Sequence, residues 1–371
     1  MYSVLRNIMA GRQRNYTPRV RSSRPVGESR STNLPPMTTL PTPVSSSDGW
    51  YLPAPLAQRL HEKSAIGKIT SDSGIHLTVE EVMYCHWYRH VPLPLPEVAW
   101  FEQRLREDPR AALRTIAMDV LRNGGERVVP VCHLKERFSN LHPATWAIRW
   151  ERQENWTQHQ GCSQVRLHHT HDELDWEELY TWVNRVKRDG HVAELCVVDA
   201  EFDATVYHLS IEQPQGTHHL FSSLPPGTQK EIQLKCGGAV KIDDGFFLTD
   251  TPSWPLTAIG IEHFSGRFLR NEEYRYLLGI NESIYDTLFR ELANAGLLMR
   301  PGFKYGCRWR VYASSIEDEH APWLVQPSDD APTNWEGVCL AVRLAEGVNK
   351  KWICAKMTSK LPWFLQIERR G

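Results

Sequence analysis

The sequence has no excess charge of either sign: 43 lysines and arginines face 44 aspartates and glutamates, for a formal net charge of −1 at pH 7. A chain without a global basic field does not attract nucleic acid along its whole surface, so any RNA or DNA footprint must be local. No apolar run approaches the ~18 residues that a membrane-spanning helix needs. We therefore expect no membrane partner.

The eight cysteines include no CxxC pair. Scattered thiols of this kind predict reduced, mostly buried cysteines in a reducing compartment. One region is rich in possible zinc ligands, but it lacks the paired spacing of structural zinc sites: Cys132, His133, Cys162, His168, His169 and His171. The chain also has no Walker loop and no GxGxxG motif in a suitable context. We expect no metal and no cofactor.

The composition predicts a folded protein preceded by an arm. With 41% hydrophobic and 23% charged residues, 371 residues suffice for two domains with their own cores. Residues 1–47 are rich in Ser, Pro, Thr and Arg and carry almost no acid, which indicates a disordered arm. An organellar transit peptide and an RNA-touching basic arm are the alternatives for this segment.

The pattern of the remaining chain alternates between helices and strands. Thr78 is a plausible N-cap for a helix, and residues 100–121 read as one long helix that ends at a Gly-Gly pair. Residues 176–186 predict an amphipathic helix. Residues 194–198 and 204–209 predict two strands joined by an acidic hairpin turn. The fold class that follows is α+β.

Several motifs occur twice, which predicts a tandem duplication of a unit of about 150 residues. Asp244-Gly245-Phe246-Phe247-Leu248 echoes Asp48-Gly49-Trp50-Tyr51-Leu52, and Trp335-Glu336 echoes Trp176-Glu177. The first copy carries an insertion at roughly 130–170. The predicted boundaries are an arm at 1–47, a first copy at 48–213, a Pro/Gly/Ser-rich linker at 214–227 and a second copy at 228–371.

Three side chains of the second copy stand at the borders of apolar segments. They are Tyr312, His320 and Lys350. A phenol, an imidazole and a fixed cation are the groups needed to move protons around a phosphodiester and to stabilise its charge. Each residue alone is more often structural, so their order along the chain carries the prediction.

The second copy contains a series of short motifs in a fixed order. They are Gly302-Phe303-Lys304-Tyr305-Gly306, Arg310-Val311-Tyr312, His320, Trp323-Leu324-Val325, Ala341-Val342-Arg343 and Val348-Asn349-Lys350. In these pieces and their order the second copy resembles the catalytic domain of the tRNA-splicing endonucleases. The first copy resembles the same family through residues 197–203 and the 205–207 strand. The predicted fold is therefore a duplicated endonuclease-like unit, with a small α/β part and a mixed-sheet catalytic part in each copy.

The resemblance implies a reaction and a role for each residue. Enzymes of this family cut precursor tRNA at intron boundaries without metal: the ribose 2′-OH attacks the adjacent phosphate and leaves a 2′,3′-cyclic phosphate and a 5′-OH. Tyr312 would be the general base, His320 the general acid and Lys350 the stabiliser of the charged intermediate. Arg343 matches an arginine that stacks on a bulged base. Its companion would be Arg369 or Arg370, between which the spacing does not choose.

The two copies have divided the family's features between them. The first copy has His191 where the second has Lys350, so we expect it to be non-catalytic. It keeps an acidic loop, Asp199, Glu201 and Asp203, which the second copy replaces with residues 358–360. In the family such a loop docks onto the active unit of another chain. The resemblance therefore implies a homodimer, or assembly with other endonuclease subunits, and precursor tRNA as the substrate.

Two rival functions share these residues. One is a non-catalytic, RNA-binding subunit of a heteromeric splicing endonuclease; the other is a ribonuclease of the same chemistry with a different RNA target. Nucleus and cytoplasm are both open as the location, with cytoplasm expected for an archaeal source.

Overall fold

A computed structural model describes residues 40–249, 251–317, 320–359 and 361–371. Most of the predicted arm, residues 1–39, lies outside the described residues. The predicted α+β class is confirmed: helices pack against two four-stranded sheets and one ten-stranded sheet. No described helix is long and apolar enough to cross a membrane.

The first small sheet has the strand order β1-β2-β4-β3, with all neighbours antiparallel. The strands are β1 (Val44–Ser46), β2 (Gly49–Leu52), β3 (Lys68–Ile69) and β4 (Ile75–Leu77). The accompanying helices are α1 (Leu56–Ser64), α2 (Val79–Arg89), α3 (Glu97–Glu107) and α4 (Ala111–Arg122). Strand β1 lies inside the segment predicted as a disordered arm, of which residues 40–47 are described.

The helix predicted over residues 100–121 is wrong, because the structure has two helices there. Helix α3 ends at Glu107 and α4 begins at Ala111. Pro109 lies between them; a proline has no N–H to donate and its ring clashes with the preceding turn, so it does not continue a helix. The predicted cap of α2 is confirmed: the Thr78 hydroxyl accepts from the Glu81 N–H, and the Glu81 carboxylate accepts from the Thr78 N–H.

The next segment builds one half of the ten-stranded sheet. Its elements are β5 (Arg127–Pro130), β6 (Ala147–Trp150), β7 (Ser163–His169), α5 (Trp176–Arg188), β8 (Val192–Val198) and β9 (Ala204–Glu212). Helix α5 crosses over between the parallel strands β7 and β8. The predicted hairpin is confirmed, since β8 and β9 pair antiparallel across the 199–203 turn.

A second small sheet repeats the arrangement of the first, with the order β10-β11-β13-β12. Its elements are α6 (Pro226–Gly237), β10 (Val240–Ile242), β11 (Gly245–Thr249), β12 (Ile261–His263), β13 (Gly266–Arg270), α7 (Asn271–Leu278) and α8 (Ile284–Asn294). Helix α6 begins at Pro226, so the segment predicted as a linker ends in a helix. Between α7 and α8 there is no described helix that corresponds to α3.

The last segment completes the large sheet. Its elements are β14 (Leu298–Pro301), β15 (Trp309–Tyr312), β16 (Trp323–Pro327), α9 (Trp335–Glu346), β17 (Lys351–Met357) and β18 (Pro362–Arg369). The strand order runs β14-β15-β16-β17-β18-β9-β8-β7-β6-β5, and β9 pairs antiparallel with β18 at its centre. Helices α5 and α9 share one hydrophobic core that spans this seam, with Trp182 and Trp335 fully buried.

Each small sheet is tied to its helix by a buried carboxylate. Glu81 accepts from the N–H of Gly67 (2.9 Å) and pairs with His133 (2.7 Å). Glu273 accepts from the N–H of Gly260 (3.1 Å) and pairs with arginines instead. Both carboxylates are completely buried, so these cations and N–H groups supply the solvation that water no longer provides.

Candidate active site

Tyr312 closes β15 at the outer end of the large sheet. It pairs with Leu298 of the edge strand β14, and only 6% of its surface is exposed. Its side chain belongs to a small buried cluster with Ala258, Leu298 and Ala321. This packing fixes the position of the phenol at a strand end, as the sequence predicted.

Lys350 reaches the same place from the other side. It stands directly before β17, after a left-handed turn at Asn349 (φ 53°) that ends the α9 segment. Its Nζ donates a hydrogen bond to the carbonyl oxygen of Ala321 at 2.8 Å. The neighbouring Lys351 N–H donates to Pro322 O at 2.9 Å, so the backbone at residues 321–322 is held at two points.

His320 is exposed and immediately precedes Ala321. Ala321 therefore joins the three predicted residues: its side chain packs with Tyr312, its carbonyl accepts from Lys350, and its N-terminal neighbour is His320. The structure thus places all three residues at the same end of the neighbouring strands β15, β16 and β17, although they come from separate segments of the chain.

The site carries two further basic groups. Burial, and then the positive charge of Arg310, lower the pKa of Lys350. Arg310 lies on β15, donates through Nε to Pro301 O at 3.1 Å and has its guanidinium 5.7 Å from the Tyr305 ring. Burial also lowers the pKa of Arg300, which is near enough to Tyr312 for their charges to interact. Lys350 and Arg310 therefore leave positive charge at this end of the sheet, whereas the Arg300 guanidinium is mostly buried and paired with Glu273 at 3.3 Å.

The predicted RNA-stacking arginines lie in a different place. Arg343, which is exposed on α9, and Arg369, at the end of β18, line a groove of about 530 Å³. Asp199 and Asp203 of the hairpin line the same groove, whereas Tyr312, His320 and Lys350 do not. Within one chain, the structure therefore groups the two arginines with the acidic hairpin and away from the three candidate catalytic residues.

Arg370 differs from Arg369 because its charge is already paired. Its guanidinium lies 2.5 Å from Glu126 and 3.8 Å from Glu194. The Arg369 N–H is bound by Glu346 at 2.8 Å, and its side chain faces the groove. Of the two arginines that the spacing left open, Arg369 shares the groove with Arg343, whereas Arg370 does not line it.

The acidic hairpin is held in shape by hydrogen bonds within its own turn. Asp199 Oδ1 accepts from the N–H groups of Glu201 and Asp203, both at 2.9 Å, and so shapes the turn. The side chains of Glu201 and Asp203 are exposed. The carboxylates of Glu201 and Asp203 take no part in the two turn hydrogen bonds that Asp199 accepts.

Sequence reasoning missed two parts of the site. The Ala321 carbonyl gives no side-chain signal at all. Arg310 stands in the quoted motif but was assigned no role; its position two residues before Tyr312, on the same side of a strand, is the signal that would have found it.

The described residues contain no group of three or more His, Cys, Asp or Glu side chains placed to hold a metal ion. The histidines of the cysteine/histidine-rich region have other partners. His133 lies 2.7 Å from Glu81, and His168 lies 3.3 Å from Asp172.

The site combines a buried phenol, an exposed imidazole and a partly buried ammonium around one short segment. These groups are suited to acid–base chemistry on a phosphodiester. Comparison with known proteins agrees with this class. Residues 284–361 match the family described as tRNA intron endonuclease, catalytic C-terminal domain. The predicted resemblance to the tRNA-splicing endonucleases is thereby confirmed.

Similar proteins are found among archaeal tRNA-splicing endonucleases. The one from Picrophilus torridus is 32% identical over 167 residues, which cover 45% of this chain and 56% of that protein. The one from Thermoplasma volcanium is 28% identical over 173 residues, or 46% of this chain and 53% of that protein. The one from Methanopyrus kandleri is 35% identical over 70 residues, or 19% and 39%. The chain spans about half the length of the first two relatives.

Proposed function

We propose that this chain is a tRNA-splicing endonuclease that cuts precursor tRNA at intron boundaries by attack of the ribose 2′-OH. Tyr312 removes the proton from the 2′-OH, which is too weak a nucleophile without a base. His320 protonates the leaving 5′-oxygen. Lys350 stabilises the extra negative charge of the five-coordinate phosphorus, because a fixed cation in a partly dry site needs no reorganisation as charge develops.

One observation supports this proposal most directly, namely that Ala321 links the three residues. A base and an acid on opposite sides of a phosphate must be held apart by about the width of that phosphate. The buried Tyr312 packs against Ala321, the Lys350 ammonium is bonded to its carbonyl oxygen, and the exposed His320 directly precedes it in the chain. In this arrangement the Lys350 ammonium, which has three N–H donors, keeps its bond to Ala321 O and donates another to the phosphate.

The test is a precursor tRNA with a single 2′-deoxynucleotide before one scissile phosphate. Without the attacking hydroxyl, we expect no cleavage at that junction and unchanged cleavage at the other junction, measured on a gel with end-labelled RNA. The unmodified junction is the internal control for binding and folding. Equal cleavage at both junctions would mean that water, and not the 2′-OH, is the nucleophile.

We also infer a tandem duplication, with a degenerate unit over 48–213, a connecting segment over 214–227 and a catalytic unit over 228–371. The matching order of the two small sheets and the symmetric order of the large sheet about β9 and β18 support it. The first unit is longer because of α3 and of the connection at residues 131–146, which corresponds to residues 302–308. The sequence placed the extra length at roughly 130–170 only.

The acidic hairpin is proposed to dock onto the catalytic unit of a second chain, or of another endonuclease subunit. Glu201→Gln with Asp203→Asn removes two exposed charges and leaves the turn-forming Asp199 intact. We expect this variant to be monomeric by light scattering at concentrations where the wild type is dimeric. Glu317→Gln, an exposed carboxylate in the second unit, is the matched control. A double variant that stays dimeric would refute the docking role.

A further inference from the structure

The first half of the large sheet contains the framework of the candidate site without its chemistry. His191 stands directly before β8, as Lys350 does before β17, and its Nε2 lies 3.2 Å from the Gln160 carbonyl oxygen. The corresponding bond of Lys350 to Ala321 O is 2.8 Å. Trp150 ends β6 where Tyr312 ends β15. The backbone frame is therefore kept, while the phenol and the ammonium are replaced.

The connection between β5 and β6, residues 131–146, covers this framework. It is more than twice as long as residues 302–308, which join β14 and β15. Its residues 138–141 form one wall of a cavity of about 260 Å³, which we call the Phe138 pocket. The opposite wall consists of Gln160, Arg185, Asp189 and His191. The added segment thus forms a pocket at the position that corresponds to the catalytic site.

The walls of the Phe138 pocket combine an aromatic face with fixed polar groups. The rings of Phe138 and His191 are 6.4 Å apart, and Phe138 also packs 6.5 Å from Trp150. The Gln164 side-chain nitrogen lies 3.2 Å from His191 Nδ1 and 3.0 Å from Asp189 Oδ2, which holds both side chains in place. A pocket below the ~300 Å³ of ordinary ligand sites has room for one small flat group.

The pocket walls contain one arginine and one carboxylate, which neutralise each other. Arg185 and Asp189 are paired at 3.2 Å, and Arg185 also donates to the carbonyl oxygen of Asn140 at 3.0 Å. Lys187 and Arg188 of the same helix turn are exposed but do not line the pocket. Stacking on an aromatic side chain binds the bases of single-stranded nucleic acid without sequence preference, because every base has a flat π-face.

We propose that the Phe138 pocket binds one unpaired nucleotide. The base stacks on Phe138, with its edge toward the wall of Gln160, Asp189 and His191. The inference rests on the proposed function in one respect, namely that this nucleotide belongs to an RNA substrate. The pocket itself takes no part in cleavage, so the degenerate unit holds RNA that the catalytic unit cuts.

The test uses the full chain carrying Lys350→Ala, so that RNA is not cut during the measurement. Binding of single-stranded pentanucleotides and of nucleoside monophosphates is measured by titration calorimetry. Phe138→Leu keeps an apolar side chain but removes the flat face, and we expect it to weaken pentanucleotide binding about tenfold. Phe303→Leu is the matched control, because Phe303 is an exposed aromatic in the corresponding connection of the second half.

Photo-crosslinking is a second test, and it does not depend on whether the Phe138→Leu variant folds. The protein used is the Lys350→Ala chain, in which Phe138 is unchanged. Pentanucleotides with one 4-thiouridine should crosslink to its peptides that contain residues 138–141 or 185–191. Crosslinks confined to other peptides, or equal affinity of the Phe138→Leu and parent chains, would overturn the proposal. Equal affinity for monophosphates and pentanucleotides would support the pocket with a free nucleotide as its ligand.

These outcomes are independent of the proposed cleavage reaction. A chain that binds through Phe138 but cuts neither junction of a precursor keeps the pocket and loses the endonuclease assignment. A chain that cuts normally but binds nothing at Phe138 keeps the endonuclease assignment and rules out the nucleotide pocket.

Discussion

Lys350→Ala is expected to lower the rate constant for precursor cleavage by about 100- to 1,000-fold, the usual effect of removing one fixed group that stabilises transition-state charge. The affinity for the RNA should change little, because a single phosphate contact contributes a small part of the binding free energy. Single-turnover cleavage with excess enzyme separates the two quantities. The loss should appear in the limiting rate and not in the concentration dependence.

Lys351→Ala is the matched control for this variant. Lys351 is the next residue, is exposed and uses only its backbone N–H to hold Pro322. Its replacement should leave the limiting rate within a fewfold of the wild type. If both variants cut at the same rate, or if Lys350→Ala keeps the wild-type rate, the assignment of Lys350 is incorrect.

Glu194→Ala is expected to cause the largest loss of stability, about 3 kcal/mol, because it removes the fully buried carboxylate from Arg149 and leaves that buried arginine with Glu126, at 2.9 Å, as its remaining carboxylate partner. Glu194 is fully buried and binds Arg149 through two hydrogen bonds of 2.7 Å. Ser163 donates to it at 2.7 Å and His208 lies 3.0 Å away. Thermal and urea unfolding followed by circular dichroism measure the loss.

Glu102→Ala is the control for this prediction. Glu102 also pairs with an arginine, Arg106, at 2.5 Å, but the side chains are 58% and 76% exposed. An exposed ion pair contributes only about 0–1 kcal/mol. Similar destabilisation by the two substitutions would show that burial of the Glu194–Arg149 pair has no special effect.

The same carboxylate gives the stability a dependence on pH. Burial raises the pKa of Glu194, but hydrogen bonds from His208 and Arg149 outweigh it and lower the pKa to about 2. Because the folded-state pKa is below the unfolded one, the stabilisation is complete above the ordinary glutamate range, near pH 4.5, and is lost as the pH falls toward 2. Glu194→Gln should therefore be less stable at neutral pH and lose less stability upon acidification.

The sequence was most informative where local chemistry decides the structure. The Thr78 cap and the 199–203 hairpin followed from side chains that act on their own backbone. The long helix at residues 100–121 was a wrong prediction because apolar spacing continues through Pro109, and the period of the pattern was given more weight than the missing N–H. A proline inside a helical pattern is the stronger signal.

The sequence was least informative where distant segments meet. Glu194 stands in an otherwise apolar strand, which signals a buried charge, but its partner Arg149 comes from another strand. The order of Tyr312, His320 and Lys350 predicted a site, whereas the carbonyl that joins them is visible only in the fold. Arg343 was predicted from the family motif, and the groove it shares with Asp199 and Asp203 depends on the seam between β9 and β18.

The most direct test of the central claim is cleavage of an intron-containing precursor tRNA by the purified chain in excess EDTA, with analysis of the new RNA ends. The proposed mechanism predicts cleavage at both intron boundaries, with 2′,3′-cyclic phosphate and 5′-OH ends. Cleavage that requires added metal, or products with 3′-OH and 5′-phosphate ends, would contradict it. Retained RNA binding without cleavage would instead favour a non-catalytic subunit.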